Sequence, residues 1–257
     1  MRLLPLLISG LIFCCDGLFA PRPPKLLASA KPGVTFLSLG DSYTIGEGVG
    51  ATARWPAQLA ELARQEGLAI QSPDIIARTG WTTAELQTAI AATNNQKTYG
   101  LVSLLIGVNN QYRGETMASY RTEFRELLHK AGHFAGDEPR RVLVLSIPDW
   151  GRSPFAQREG RDPVRIAAEI DQFNAVAREE CRRASVAYVD ITPLTRAAAS
   201  DPAQFTRDGL HYSGPQMHDW ARLALPVVRQ MLLSETSSRS QRAASQTSRP
   251  LLRLSQE

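Results

Sequence analysis

The sequence predicts a three-layer α/β/α sandwich built on a five-stranded parallel sheet. Three observations carry that expectation. Short β-branched or apolar runs at 34–39, 74–77, 101–106, 142–147 and 187–189 alternate with longer amphipathic segments, the pattern of repeated βαβ units. The runs LVSLLI at 101–106 and VLVLSI at 142–147 are almost continuously apolar, as parallel strands covered on both faces require. Glycine, aspartate and asparagine cluster just after several of these runs, at the strand ends where such sheets place their ligands.

Helices are expected near 54–66, 82–94, 117–131, 165–184 and 215–232. In the fourth, Ile166, Ile170, Phe173, Ala177 and Cys181 recur at helical spacing, which makes Cys181 a core thiol. The last presents Met217, Trp220, Ala221, Ala224, Val228 and Met231 on one side. Ser213 is placed to cap it, Pro215 suits its first turn, and Pro226 should kink it.

The chain has 257 residues, enough for one domain with terminal extensions. Its formal charge of +4 is concentrated at the ends: residues 1–31 carry +3 and the tail from Ser234 carries +2, leaving −1 for residues 32–233. A nucleic-acid-binding body would need a concentrated basic face, so nucleic acid is not an expected partner. Cys14 and Cys15 lie in the N-terminal apolar run, so Cys181 has no partner within the body for a disulfide.

Residues 1–31 read as a signal or anchor segment with a linker. Arg2 precedes the apolar run LLPLLISGLIFCC, which has the length of a signal-peptide core and is interrupted by Asp16 before it could span a bilayer. Ala28-Ser29-Ala30 is a small-residue cleavage site of the right kind, though far downstream. Cys14 or Cys15 would suit lipidation, but Phe13 is a poor residue to precede it. Export to the periplasm, envelope or medium is expected, with membrane association through this segment and its cleavage left open. PRPPK at 21–25 is a stiff linker. Residues 32–233 form the folded domain, and residues 234–257, rich in Ser, Arg, Gln and Thr, are expected to be a disordered basic tail.

Four short motifs carry chemistry. Gly40-Asp41-Ser42 follows the first strand, where a sharp turn would lift the Ser42 hydroxyl to the strand end; a serine needs an adjacent base to attack an ester. Thr79-Gly80-Trp81 follows the second, and a glycine N–H there can face a developing oxyanion. Gly107-Val108-Asn109-Asn110 follows the third, with an amide able to donate into the same cleft. Asp208-Gly209-Leu210-His211 precedes the last helix, where an acid can fix the tautomer of a histidine base. Each alone has a plain structural reading: a capping serine, a turn glycine, a turn asparagine, an aspartate turning the chain beside a packed histidine. Their order and placement bring them to one cleft. Asp41 fits a support of the nucleophile turn. Trp150 and Arg152, after the fourth strand, should rim the cleft and either contact substrate or pack the loop.

The combination resembles the SGNH/GDSL hydrolases across residues 34–232. Ser42 matches the nucleophile in a GDSYTxGxG block, Gly80 the second block, Asn109 the third, and Asp208 with His211 the DxxH block. The resemblance implies a flavodoxin-like SGNH hydrolase fold and a serine esterase. In that mechanism His211, oriented by Asp208, takes the Ser42 proton. The oxyanion rests on the Ser42 and Gly80 N–H groups and the Asn109 amide. Two positions depart from the family pattern: Asn110 stands where aspartate is common, and Tyr43 replaces the leucine of the GDSL name.

The expected substrate is a carboxylic ester: a lysophospholipid, a short acyl ester or an acetylated carbohydrate. No cofactor or metal is expected, since His129, His133 and His218 show no ligand spacing. A catalytically silent glycan- or lipid-binding protein is the alternative, opposed by the presence of Ser42, Asp208 and His211 together. A flavodoxin-like cofactor binder would want more hydroxyls after the first strand than Ser42 and Thr44. The sequence does not set the oligomeric state.

Overall fold

The computed structural model describes residues 33–197 and 201–247, with side chains to residue 234. The expected signal segment and linker, and the last ten residues of the tail, lie outside the described residues. Five parallel strands form one sheet in the order β2-β1-β3-β4-β5: β1 (Phe36–Gly40), β2 (Asp74–Ala77), β3 (Leu101–Leu105), β4 (Val142–Leu145) and β5 (Ala187–Val189). The sequence places all five within two residues. It extends β3 and β4 slightly too far, because the apolar run continues into the turn while the ladder stops, and it starts β1 two residues early and ends it one short.

Nine α-helices lie among the described residues: α1 (Ser42–Ile45), α2 (Trp55–Gln65), α3 (Thr83–Thr93), α4 (Val108–Tyr112), α5 (Met117–Phe134), α6 (Pro154–Arg158), α7 (Pro163–Arg183), α8 (Thr192–Ala197) and α9 (Gly214–Thr247). The 2-1-3-4-5 order reverses direction between β1 and β3, which opens a crevice outside their carboxyl ends. Ser42 and Asn109 begin just beyond those two ends.

Both faces of the sheet are covered, and every residue of β1, β3 and β4 is buried. The only polar pair in β1 and β3 satisfies itself: Ser38 faces Ser103 in register, with their Oγ atoms 2.8 Å apart. Trp55 of α2 and Trp220 of α9 are fully buried where these helices pack. Their indole N–H groups have no partner among the described residues. Burying ~150–250 Å² of aromatic surface at ~25 cal/mol per Å² contributes about 4–6 kcal/mol, against about 1–3 kcal/mol for an unpaired donor, so burial wins. On the other face, Glu180 of α7 joins α5 through Arg121 (2.6 Å) and Arg125 (2.8 Å). The Arg125 hydrogen bond leads in holding its carboxyl down to about 2 against the opposing effect of burial.

Cys181 is buried as expected, and burial pushes its thiol up to about 12. Two expectations fail at α9. Ser213 does not cap it, since its Oγ has no hydrogen-bond partner. The helix also continues through residue 247, so residues 234–247 are helical in backbone where a disordered tail was expected. That stretch contains no glycine or proline to stop a helix, and its Glu, Arg, Gln and Ala residues favour one; lack of apolar residues argues against a core, not against a helix. No helix of the described residues is long and apolar enough to cross a membrane.

Candidate active site

Ser42 is the first residue of α1, so its N–H has no acceptor inside that helix. Asp41 caps the turn: its Oδ1 accepts from the Tyr43 N–H at 3.0 Å. Gly40 is required by space rather than by an unusual φ, since a Cβ there would lie 2.2 Å from Thr44 Oγ1 and 2.3 Å from the Leu105 carbonyl oxygen. Gly80 is the opposite case. Its φ is +89° with nothing within 4 Å of an added Cβ, so the backbone conformation selects glycine there.

Helix α4 pins the Gly80 segment. Asn109 Nδ2 donates to the Trp81 carbonyl at 2.9 Å, which orients the amide and leaves its second N–H uncommitted by that bond. Arg113 donates to the Gly80 carbonyl at 2.6 Å. Asn110 Oδ1 accepts from the Thr83 N–H, while its Nδ2 donates to Thr83 Oγ1 and to Glu115 Oε2. This accounts for the departure at 110: an aspartate has no donor for Glu115 and would bring a second carboxylate against it.

The DxxH loop closes on itself through a Phe205–Tyr212 bridge and a Thr206 N–H to His211 carbonyl bond of 2.7 Å. His211 Nδ1 lies 2.6 Å from Asp208 Oδ2. Asp208 Oδ1 accepts from Thr206 Oγ1, the Leu210 N–H and the His211 N–H at 2.8, 2.8 and 3.0 Å. Partial burial pushes the Asp208 carboxyl up, but these hydrogen bonds, led by His211, hold it well below its usual range. With Nδ1 engaged by Asp208, Nε2 is the imidazole nitrogen left for other partners. Tyr43 meets the imidazole edge-on, with ring centres 5.8 Å apart, and is itself packed on Tyr212 and Trp220. The tyrosine that replaces leucine thus supports the histidine.

Ser42, Gly80, Asn109 and His211 line one cleft of about 240 Å³, together with Thr79 and an apolar wall of Tyr43, Val108, Tyr112, Trp150, Phe155 and Leu210. Trp150 is buried, and its indole donates to Gln111 Oε1 at 2.8 Å. Gln111 in turn donates to Glu169 at 2.7 Å. Arg152 is not among the lining residues. The Gly151 N–H bonds Asp149 Oδ1 at 2.9 Å, turning the chain after Trp150, and the exposed Arg152 lines a neighbouring groove. A larger concavity of about 620 Å³ is lined by Arg125, His129, Glu180 and Arg183 among others. Two of its arginines are already spent on Glu180, and it holds none of the four motifs.

Sequence reasoning missed Tyr112, Phe155 and the Gln111 support. Tyr112 was within reach, because it follows Asn109 by three residues on one helix and so shares its face. Phe155 lies on a helix of five residues, too short to show periodicity.

The profile of the GDSL-like lipase/acylhydrolase family matches residues 38–215, from β1 to the start of α9. The chain belongs to that family. It is therefore a hydrolase of carboxylic esters, with the SGNH hydrolase fold. Solved structures agree on the fold. TesA is 18% identical, with a TM-score of 0.61 over 77% of this chain and 99% of that one. A lipase/acylhydrolase from Enterococcus faecalis is 18% identical, with a TM-score of 0.56 over 77% and 95%. A variant of Axe2, an acetyl xylan esterase from Geobacillus stearothermophilus, is 19% identical, with a TM-score of 0.60 over 76% and 94%. No curated protein matches the sequence significantly.

Proposed function

We propose that this family member is a serine esterase in which Ser42 attacks the acyl carbon, His211 is the base and Asp208 orients it. The observation that carries this reading is the 2.6 Å His211–Asp208 contact beside the cleft that Ser42, Gly80 and Asn109 also line. His211 Nε2 accepts the Ser42 proton and returns it to the leaving alcohol; water then releases the acyl group by the same path. The tetrahedral oxyanion is stabilised by the Ser42 and Gly80 N–H groups and the Asn109 amide.

The cleft volume of about 240 Å³ is below the ~300–1,000 Å³ that usually encloses a drug-sized ligand. With its largely apolar wall, it favours a short acyl group over a long chain. The N-terminal apolar run supports export of the enzyme; recovery of the full chain in the cytoplasmic fraction of its host would remove that part of the reading.

The test is hydrolysis of p-nitrophenyl acetate, butyrate and octanoate by the full chain, beside Ser42→Ala and His211→Ala. Loss of activity in both variants and a preference for the shorter esters are expected. Asn109→Ala should lower turnover by roughly 10²–10³. A folded wild type that cleaves none of the esters and takes no fluorophosphonate label would point instead to a silent binding protein.

A further inference from the structure

Next to Trp150 of the catalytic cleft lies a second groove of about 510 Å³, whose lining includes Gly151, Arg152, Gln157, Arg161, Pro163 and Val164 and no acidic side chain. Arg161 makes two cation–π contacts there. Its guanidinium carbon lies 5.1 Å from the ring centre of Tyr112 and 5.8 Å from that of Trp150, and both rings line the catalytic cleft. A guanidinium held by cation–π contact spends none of its N–H donors on a hydrogen bond there, and its fork matches a carboxylate or phosphate.

Nearby carboxylates do not use this capacity. Glu169 is held by Arg165 at 2.8 Å and by Gln111 at 2.7 Å, and Arg161 acts on it only through space. Asp162 is turned to cap α7, accepting from the Val164 and Arg165 N–H groups. Neither Arg152 nor Arg161 makes an ion pair among the described residues. A third arginine, Arg158, stands at the DxxH loop with Nη2 donating to the Asp208 carbonyl at 2.7 Å. The domain as a whole carries −1, so this gathering of cations beside the cleft is local and not a general basicity.

We propose that Arg161 and Arg152 form a subsite for an anionic group, a carboxylate or phosphate, borne by the ester substrate several bonds from the scissile carbonyl. The proposal rests on the serine esterase reading above and narrows its substrate class to acidic esters. The contacts with Tyr112 and Trp150 place Arg161 beside the cleft that both rings line, and Arg152 adds a second cation in the same groove.

Two matched pairs of esters test it, each rate normalised to the ester's own alkaline hydrolysis. p-Nitrophenyl hemiadipate against p-nitrophenyl hexanoate places the charge on the acyl side. 1-Butyrylglycerol 3-phosphate against 1-butyrylglycerol places it on the alcohol side. In the wild type the acidic ester of one pair is expected to have the higher kcat/KM, and the pair that responds identifies the side. Arg161→Gln should reduce that acidic-to-neutral ratio about five- to tenfold, chiefly through KM, as for a partly exposed but forked charge contact. Arg152→Gln should reduce it less, and Arg161→Lys should keep part of it. A wild-type ratio at or below one in both pairs, or a ratio unmoved by Arg161→Gln, overturns the proposal. Failure of the esterase reading would show separately, as no cleavage of the neutral esters or cleavage that survives Ser42→Ala.

Discussion

The nucleophile turn and the DxxH loop each hold an aspartate next to a proposed catalytic residue, and the two acids are in opposite states. Asp41 is fully buried, takes one hydrogen bond at Oδ1, and has no partner at Oδ2. Burial, only partly offset by its backbone hydrogen bonds, raises it from 3.8 to about 7. Asp208 keeps 45% of its side chain exposed yet accepts four hydrogen bonds, which hold it well below the usual carboxylate range. Proximity to the nucleophile therefore does not identify the acid of the triad. An anion that must stabilise an imidazolium needs donors on both oxygens, and Asp208 has them. Asp41 is better suited to carry a proton on its unpartnered oxygen and to hold the turn.

Replacement of each acid by its amide sharpens that contrast. Asp208→Asn puts an amide N–H or a weaker acceptor opposite Nδ1, so the histidine loses the partner that fixes its tautomer. Turnover should fall by about 10²–10⁴, measured as kcat on a p-nitrophenyl ester. Asp41→Asn should cost far less turnover; an equal loss would break the assignment of roles.

Asp41→Asn should instead show in stability. Between pH 3.8 and about 7 the unfolded chain releases the Asp41 proton while the folded protein keeps it. Stability therefore falls as pH rises through that window and levels off above it. Asparagine does not titrate, so the Tm of Asp41→Asn relative to the wild type should rise from pH 4 to pH 7. A difference that stays constant with pH would mean that Asp41 is ionised in the folded protein.

The same two regions show what the sequence makes legible. Ser42, Gly80, Asn109, Asp208 and His211 could be singled out because each follows a strand or precedes a helix whose apolar pattern is strong. The cleft then gathers Ser42, Gly80, Asn109 and His211, while Asp208 joins them through the His211 Nδ1 bond. What could not be read are contacts that depend on direction rather than spacing. The turn at Gly151 sends Trp150 into the cleft and Arg152 out of it, although the two are only two residues apart. A helix as short as α6 has no periodicity to detect, so Phe155 is not legible, whereas Tyr112 follows from its spacing to Asn109. Beyond Leu233 the difference has another cause: a lack of apolar residues predicts no core, but it does not stop the backbone from continuing α9 to residue 247.

The smallest expected effect isolates one donor of the Asp208 cradle. Thr206→Val removes the 2.8 Å hydrogen bond to Asp208 Oδ1 and puts a methyl in place of the hydroxyl. Oδ1 still has two backbone donors, and the Oδ2 contact with His211 is untouched, so kcat should change by only a few-fold. Because the carboxylate is half exposed, the stability lost should stay under about 1 kcal/mol. Its sign with pH is the reverse of the Asp41 case. A lowered carboxyl contributes stability that is present above its unfolded value of 3.8 and is lost as pH falls through the folded value. The Tm gap between wild type and Thr206→Val should therefore be open at pH 6 and close in strong acid. A gap that widened in acid would mean that the Thr206 hydroxyl serves the protonated form of Asp208, and the contrast between the two acids would then rest on His211 and the backbone donors alone.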